Sequence, residues 1–289
     1  MRLGLVDDFI PNGFHGVDAE TVQLVVDMGF TGMGLHMKNN PCEVTEAEVR
    51  KVKAILDGSG IEVVQFWGPY PSIITPDESV RREGIRQAQR IIELAAVAGA
   101  FSVGMRPTSF NPKGDWLPHP DNFKPETEDR LVKSLREIAI ASADHGVQVA
   151  LECYISTTLH SPEAVKRVIE RTESPWIKTN LDPTNFITDL QTAYNPRPLI
   201  DRLFEHMGPY VVTAHVKDVI VHDVNIVHLS EGRPGAGIFD YDTFLTRYEA
   251  EFPQQYAFIE HLSELDDVKA ANTFLRGKLA ELNIPILKN

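Results

Sequence analysis

The 289-residue chain is long enough to bury a large α/β core, and its formal charge of -13 opposes long-range attraction to nucleic acid. With 43% hydrophobic and 24% charged residues it has an ordinary globular composition, and no uninterrupted apolar run approaches membrane-spanning length. Cys42 and Cys153 offer neither a disulfide framework nor zinc-ribbon spacing, and the brief apolar opening Leu3-Gly-Leu-Val6 is too short for a secretory signal. These features predict a cytoplasmic protein with a small-molecule partner, no nucleic acid and no membrane.

In chain order, strand-like runs alternate with amphipathic helical stretches. Arg2–Val6 leads to a helix near Val17–Met28, Thr31–His36 to one near Thr45–Asp57, and Ile61–Phe66 to a long one near Asp77–Ala98. Phe101–Arg106 precedes a Pro/Gly-rich loop and a helix near Pro125–His145. Four further strand-like runs follow, closing on Glu152, Asp182, His215 and Glu260, with helices near Ser161–Arg171, Pro196–His206, Tyr241–Glu251 and Asp266–Leu282. Thr45-Glu-Ala-Glu48 is a capping-box pattern, and Ser161-Pro162 places a cap before a first-turn proline.

Eight such units at roughly 30-residue spacing predict a single (β/α)8 TIM barrel spanning 1–289. An open doubly wound sheet would carry a glycine-rich phosphate turn after its first strand; Asp7-Asp-Phe-Ile-Pro-Asn-Gly13 is not one.

Barrel enzymes place their chemistry at the carboxyl ends of the strands, where Glu152, Asp182, His215 and Glu260 fall on strands five to eight. A polar residue at the end of a buried strand is costly without a partner, and one divalent cation would satisfy all four. Three carboxylates and an imidazole form a hard ligand set, suited to Mn2+ first and to Mg2+ or Co2+ next, rather than to structural zinc. Alternation along the strands turns Ala150, Asn180, Thr213 and Phe258 inward as well.

At Ala150-Leu-Glu152, Asn180-Leu-Asp-Pro-Thr-Asn185, Ala214-His-Val-Lys-Asp218, Pro234-Gly-Ala-Gly-Ile-Phe-Asp-Tyr241 and Ile259-Glu260, the chain resembles the xylose isomerase-like TIM-barrel superfamily of sugar isomerases and epimerases. The resemblance spans nearly the whole chain. It implies that the four named residues bind a divalent ion, and that Glu152 and Glu260 move protons on opposite faces of the substrate. Many members continue the aspartate motif as Asp-x-x-His; here Asn185 stands at the last position, which weighs against phosphate-ester substrates.

A cation held by two vicinal sugar oxygens acidifies the C–H beside a carbonyl, so the expected activity is isomerase or epimerase chemistry through an enediolate. The long loop Arg106–Asn122 offers Trp116 to stack on a sugar or an aromatic aglycone and His119 as a second acid or base. That loop is similar to one in C-glycoside deglycosidases of the same superfamily. The likeness implies an alternative, a lyase that eliminates the aglycone from a keto C-glycoside beside a small β-rich subunit; otherwise a homo-oligomer is expected.

His36, Trp67, Arg106, Asn185 and Arg233 are candidate substrate contacts, with Phe66 beside Trp67 in the pocket wall and His15 in reach of the mouth. Lys217 and Asp218 are expected to pair with each other. A Schiff-base aldolase through Lys178 is a further alternative, although that lysine lies well before its strand end. A multinuclear abasic-site nuclease would need more histidines and a basic groove; a non-catalytic binding module would leave the ligand set without a purpose.

Overall fold

A computed structural model describes residues 1–288. Its strands and helices are β1 Arg2–Val6, α1 Ala19–Asp27, β2 Gly32–His36, α2 Glu46–Gly58, β3 Glu62–Trp67, α3 Glu78–Ala98, β4 Ser102–Met105, α4 Pro125–His145, β5 Gln148–Leu151 and α5 Pro162–Thr172. They continue with β6 Ile177–Leu181, α6 Leu190–Tyr194, α7 Arg197–Met207, β7 Val211–Val216, β8 Asp218–Val221, β9 Leu229–Gly232, α8 Tyr241–Glu251, β10 Tyr256–Ile259 and α9 Leu265–Glu281. Eight parallel strands close in the order β1-β10-β7-β6-β5-β4-β3-β2, so the expected TIM barrel forms.

Local chemistry sets the helix starts. Thr45 and Glu48 form the reciprocal capping box at α2, and the Ser161 hydroxyl accepts from Ala164 N–H while Pro162 opens α5. Gly99 and Gly146, at φ +68° and +70°, end α3 and α4 in the left-handed region.

The barrel interior is layered. Along β10, alternation presents Tyr256, Phe258 and then Glu260 at successive levels. Val6, Val64, Tyr256 and Phe258 form an apolar plug. Glycine makes room for it: Gly4 is in register with Phe258, and a β-carbon at Gly4 would lie 2.3 Å from that ring. Above the plug sit the buried polar side chains of Gln65, Asn180 and Thr213.

Two elements lie outside the predicted scheme. α6 is a short helix before α7, and β8 and β9 form an antiparallel hairpin between β7 and α8, pairing Val219 with Glu231. The Asp218 carboxylate organises the chain around that hairpin, accepting from the backbone N–H groups of Val219, Gly235 and Phe239. Among the described residues, no helix is long and apolar enough to cross a membrane.

Candidate metal centre and cavity

Closing the barrel brings the four strand-end residues together. One ligand atom from each of Glu152, Asp182, His215 and Glu260 lies within 4.8 Å of the other three, and all four side chains are buried. Glu152, Asp182 and Glu260 each stand one residue beyond a strand, while His215 lies within β7.

Neutral amides and cations hold the carboxylates differently. Glu152 accepts from Asn180 Nδ2 at 2.6 Å and Asn185 Nδ2 at 2.8 Å. Glu260 has His215 Nδ1 at 2.7 Å and Lys217 Nζ at 2.8 Å, and the same ammonium lies 2.7 Å from Asp182 Oδ2. Lys217 also donates to Asn185 Oδ1 at 3.1 Å. The expected Lys217–Asp218 pair is therefore corrected: the lysine turns into the carboxylate cluster, and the aspartate turns to backbone N–H groups.

Electrostatics follow from burial and from these neighbours. Burial alone would lower the His215 pKa, but the charges of Glu260 and Glu152 outweigh it and hold the imidazolium up to about 10. Burial likewise opposes charge on Lys217, which Asp182, Glu260 and Glu152 nevertheless keep well above its ordinary value. For Asp182 burial dominates and raises the pKa. Glu260 is held well below the usual range despite burial, by His215 and Lys217. The cluster thus draws positive charge inward.

The residues fit a divalent ion on a structural criterion. Asp182 Oδ2, His215 Nδ1 and Glu260 Oε1 are buried and, among the described residues, have no hydrogen bond of sound geometry. Among those residues these atoms meet only ion-pair partners, Lys217 for the two oxygens and Glu260 with Glu152 for the imidazole, and three oxygen donors with one imidazole form the set a hard cation takes.

Beside the cluster opens a cavity of about 570 Å3 lined by His36, Trp67, Arg106, Trp116, Asn185 and others. Trp67 stacks on His36 with ring centroids 5.5 Å apart, and its place depends on Gly104, where a β-carbon would lie 1.9 Å from the indole. His36 donates its backbone N–H to Asp7 Oδ2, and its Nδ1 lies 2.8 Å from Asp7 Oδ1. Arg106 is tied to Asp115 at 2.5 Å, donates to the carbonyls of Gly68 and Tyr70, and covers the Tyr70 ring. Trp116 meets Tyr154 edge-on.

Other sequence candidates lie elsewhere. His119 is corrected to a cap: its Nδ1 accepts from Asp121 N–H and its ring leans on Phe110, because the loop folds back on itself. Arg233 is corrected to an ion pair with Asp267 at 3.2 Å. Among the described residues, neither lines the cavity. Phe66 is buried edge-on to Phe14, and His15 lies 3.9 Å from Glu48. Lys178, near the amino end of β6, faces the Tyr210 ring rather than the cavity, which removes the geometric basis for a Schiff base there.

Several residues were not singled out in the sequence. Glu231 reaches the cavity on the hairpin, and His261 lines it with its backbone at φ +59°, its N–H donated to Asp8 Oδ2 and its Nδ1 3.1 Å from Glu231. The charge of Glu260, against burial, holds His261 up to about 9. Position directly after Glu260 was the one signal available for His261; Glu231 carried none.

The sequence profile of the xylose isomerase-like TIM barrel matches residues 22–270, and the chain belongs to that family. Its fold is similar to that of a 3-keto-D-glucoside 4-epimerase from E. coli, with TM-score 0.73 and 18% identity over 97% of this chain and 99% of that one. It is also similar to a D-psicose 3-epimerase from Clostridium cellulolyticum H10 solved with D-tagatose, with TM-score 0.73 and 13% identity over 98% and 99%. A magnesium complex of a xylose isomerase-like TIM barrel protein from Mycobacterium smegmatis gives TM-score 0.73 and 16% identity over 97% and 96%. No curated protein sequence matches the chain.

Proposed function

We propose that the protein is a divalent-metal-dependent epimerase or isomerase that moves a proton on the carbon beside the carbonyl of an unphosphorylated keto-sugar. The observation that carries this reading is the convergence of four buried ligand atoms within 4.8 Å at the edge of a cavity. Glu152, Asp182, His215 and Glu260 would hold the ion, with Mn2+ expected first from the hard donor set. When bound, the ion supplies Lewis acidity to a substrate carbonyl.

The chain's own residues do the rest. Glu152 and Glu260 reach the cluster from β5 and β10, separated around the ring by β6 and β7, so each can serve one face of a bound sugar. One takes the proton from carbon and the other returns it. Asn180 and Asn185 hold the Glu152 carboxylate in place, and Lys217 with His215 holds Glu260. Trp67 and Trp116 provide apolar surface for a sugar face, and the indole N–H of Trp67, buried without a protein partner among the described residues, is a donor for a substrate hydroxyl. The cationic side chains on the wall, Arg106, Lys217 and His261, are already paired with Asp115, with the carboxylates of the cluster and with Glu231, leaving a phosphate poorly served.

A second reading, elimination of an aglycone from a keto C-glycoside, is favoured by the cavity itself. About 570 Å3 lies within the range of sites for drug-sized ligands, and Trp116, Leu117 and Tyr154 add an aromatic and aliphatic wall. Its first step would be the same carbon deprotonation; the electron pair then expels a β-substituent instead of recapturing a proton.

The deciding experiment incubates Mn2+-loaded protein with 3-keto-glucosides and ketohexoses in deuterated water. Deuterium on the carbon beside the carbonyl of recovered sugar is the expected result, and release of an aglycone from a keto C-glycoside would select the second reading. Neither exchange nor release from any member of the panel would overturn both.

A further inference from the structure

We propose that Gln65 is a positioning residue that keeps hydrogen on Nε2 of His215 and leaves Nδ1 as the nitrogen free to release its proton to an ion, through a one-way hydrogen-bond chain whose polarity is set by Glu152 at the end of β5. The inference rests on the metal-centre reading for its functional meaning, but not for its geometry.

The chain runs through four strands or their ends. Asn180 Nδ2 lies 2.6 Å from Glu152 Oε2, Thr213 Oγ1 2.7 Å from Asn180 Oδ1, Gln65 Nε2 2.6 Å from Thr213 Oγ1, and His215 Nε2 2.9 Å from Gln65 Oε1. Gln65, Asn180 and Thr213 are all buried, at 0%, 1% and 0% exposure, so solvent cannot replace a wrongly directed partner.

Direction follows from donor and acceptor inventory. An ionised carboxylate only accepts, so the Asn180 amide must turn its NH2 to Glu152 and its oxygen to Thr213. That oxygen takes the single Thr213 hydroxyl proton, which leaves Thr213 Oγ1 to accept from the Gln65 NH2. Gln65 then presents its oxygen to His215, and an oxygen can only be met by an N–H. His215 must therefore carry hydrogen on Nε2, and Nδ1 is the nitrogen turned to the carboxylates, 2.7 Å from Glu260 and 3.5 Å from Glu152.

A second chain fixes the same end independently. The Lys217 ammonium, which only donates, takes Asn185 Oδ1 at 3.1 Å, so Asn185 Nδ2 is the group 2.8 Å from Glu152 Oε1. Both amides reach Glu152 as donors, and the carboxylate is their common sink.

Gln65 matters because it joins β3, which contributes none of the four ligands, to the two strands on the opposite side that do. Without its oxygen, the His215 ring could rotate or place its hydrogen on the nitrogen that should coordinate.

The test uses the full chain with 15N-labelled histidine, observed by NMR with EDTA and with the diamagnetic ion Mg2+, alongside Mn2+ titration calorimetry. The wild type is expected to show a solvent-protected His215 Nε2–H in both states. Gln65→Met, close in volume, is expected to lose that protected signal and to bind Mn2+ about 10- to 100-fold more weakly. Gln65→Glu, which keeps an acceptor toward His215 but gives Thr213 Oγ1 no donor, is expected to keep the Nε2–H signal at a cost in stability, a split that a mere packing role would not produce.

A wild-type His215 with bare Nε2, or a folded Gln65→Met protein with unchanged ring signal and Mn2+ affinity, would overturn the proposal. If Gln65→Met does not fold, the wild-type spectrum alone decides. Failure of the wild type to bind Mn2+ would instead strike the metal-centre reading, and the protected Nε2–H would still report on the chain.

Discussion

The Lys217 ammonium lies 2.7 Å from Asp182 Oδ2, with both side chains at most 3% exposed, inside a cluster that also holds Glu152 and Glu260. The same ammonium lies 2.8 Å from Glu260 Oε1, so the lysine pairs with two buried carboxylates at once. Lys217→Met should therefore destabilise the protein in EDTA by about 3–5 kcal/mol, the usual cost of leaving buried charge unpaired. Saturating Mn2+ should raise the melting temperature of the variant more than that of the wild type. Equal melting of the two proteins in EDTA would refute this.

Glu152→Gln should abolish solvent-deuterium exchange while the protein still folds. The amide cannot take a proton from carbon, and a loss of at least about 10^2-fold is expected for a general base. It also cannot accept from both Asn180 and Asn185 through its nitrogen, so a stability loss of about 1–3 kcal/mol should accompany the inactivation. Exchange kinetics and urea melts measure the two effects separately.

Gly104 is the place where Trp67 is most easily disturbed. Adding one methyl there would put carbon 1.9 Å from the indole, so Gly104→Ala must push the ring from the cavity wall. The expected cost is about 1–3 kcal/mol in stability. A changed tryptophan emission maximum and a higher KM should come with it; an unchanged spectrum would show that the ring has room to spare.

Asp115→Asn should loosen the 106–122 loop by weakening its tie to Arg106. Faster cleavage of that segment by a nonspecific protease is expected, with KM rising more than kcat falls, because the loop shapes the cavity and supplies none of the four ligands. A cleavage rate equal to that of the wild type would mean that the hydrogen bonds from Arg106 to Gly68 and Tyr70 suffice by themselves.

The regular part of the architecture was legible because repeating units announce themselves. Tyr241–Glu251 and Pro125–His145 occupy the predicted spans, and strand-end positions alone singled out the four residues that converge. What escaped was determined across the barrel rather than along the chain. Gln65 reads as one polar residue in Glu62-Val-Val-Gln-Phe-Trp67; its meaning appears only when β3 faces β6 and β7. Lys217 and Asp218 looked like neighbours that would pair, yet the chain passes from β7 to β8 between them, and the lysine turns to the carboxylate cluster while the aspartate turns to backbone N–H groups. His119 and Arg233 sit in loops, where alternation gives no guide to side-chain direction. The hairpin was missed because its β-prone run, Val219-Ile-Val221, is short and is not followed by an amphipathic helix, so it fell outside the strand–helix repeat.

That hairpin has a structural consequence for how this scaffold can diverge. Its two strands bond to one another and are not staves of the barrel, yet Glu231 on one of them borders the cavity. Residues 222–228 could be lengthened, shortened or exchanged without altering the register of the eight parallel strands. The wall at Glu231 can thus change while the end that gathers Glu152, Asp182, His215 and Glu260 stays as it is.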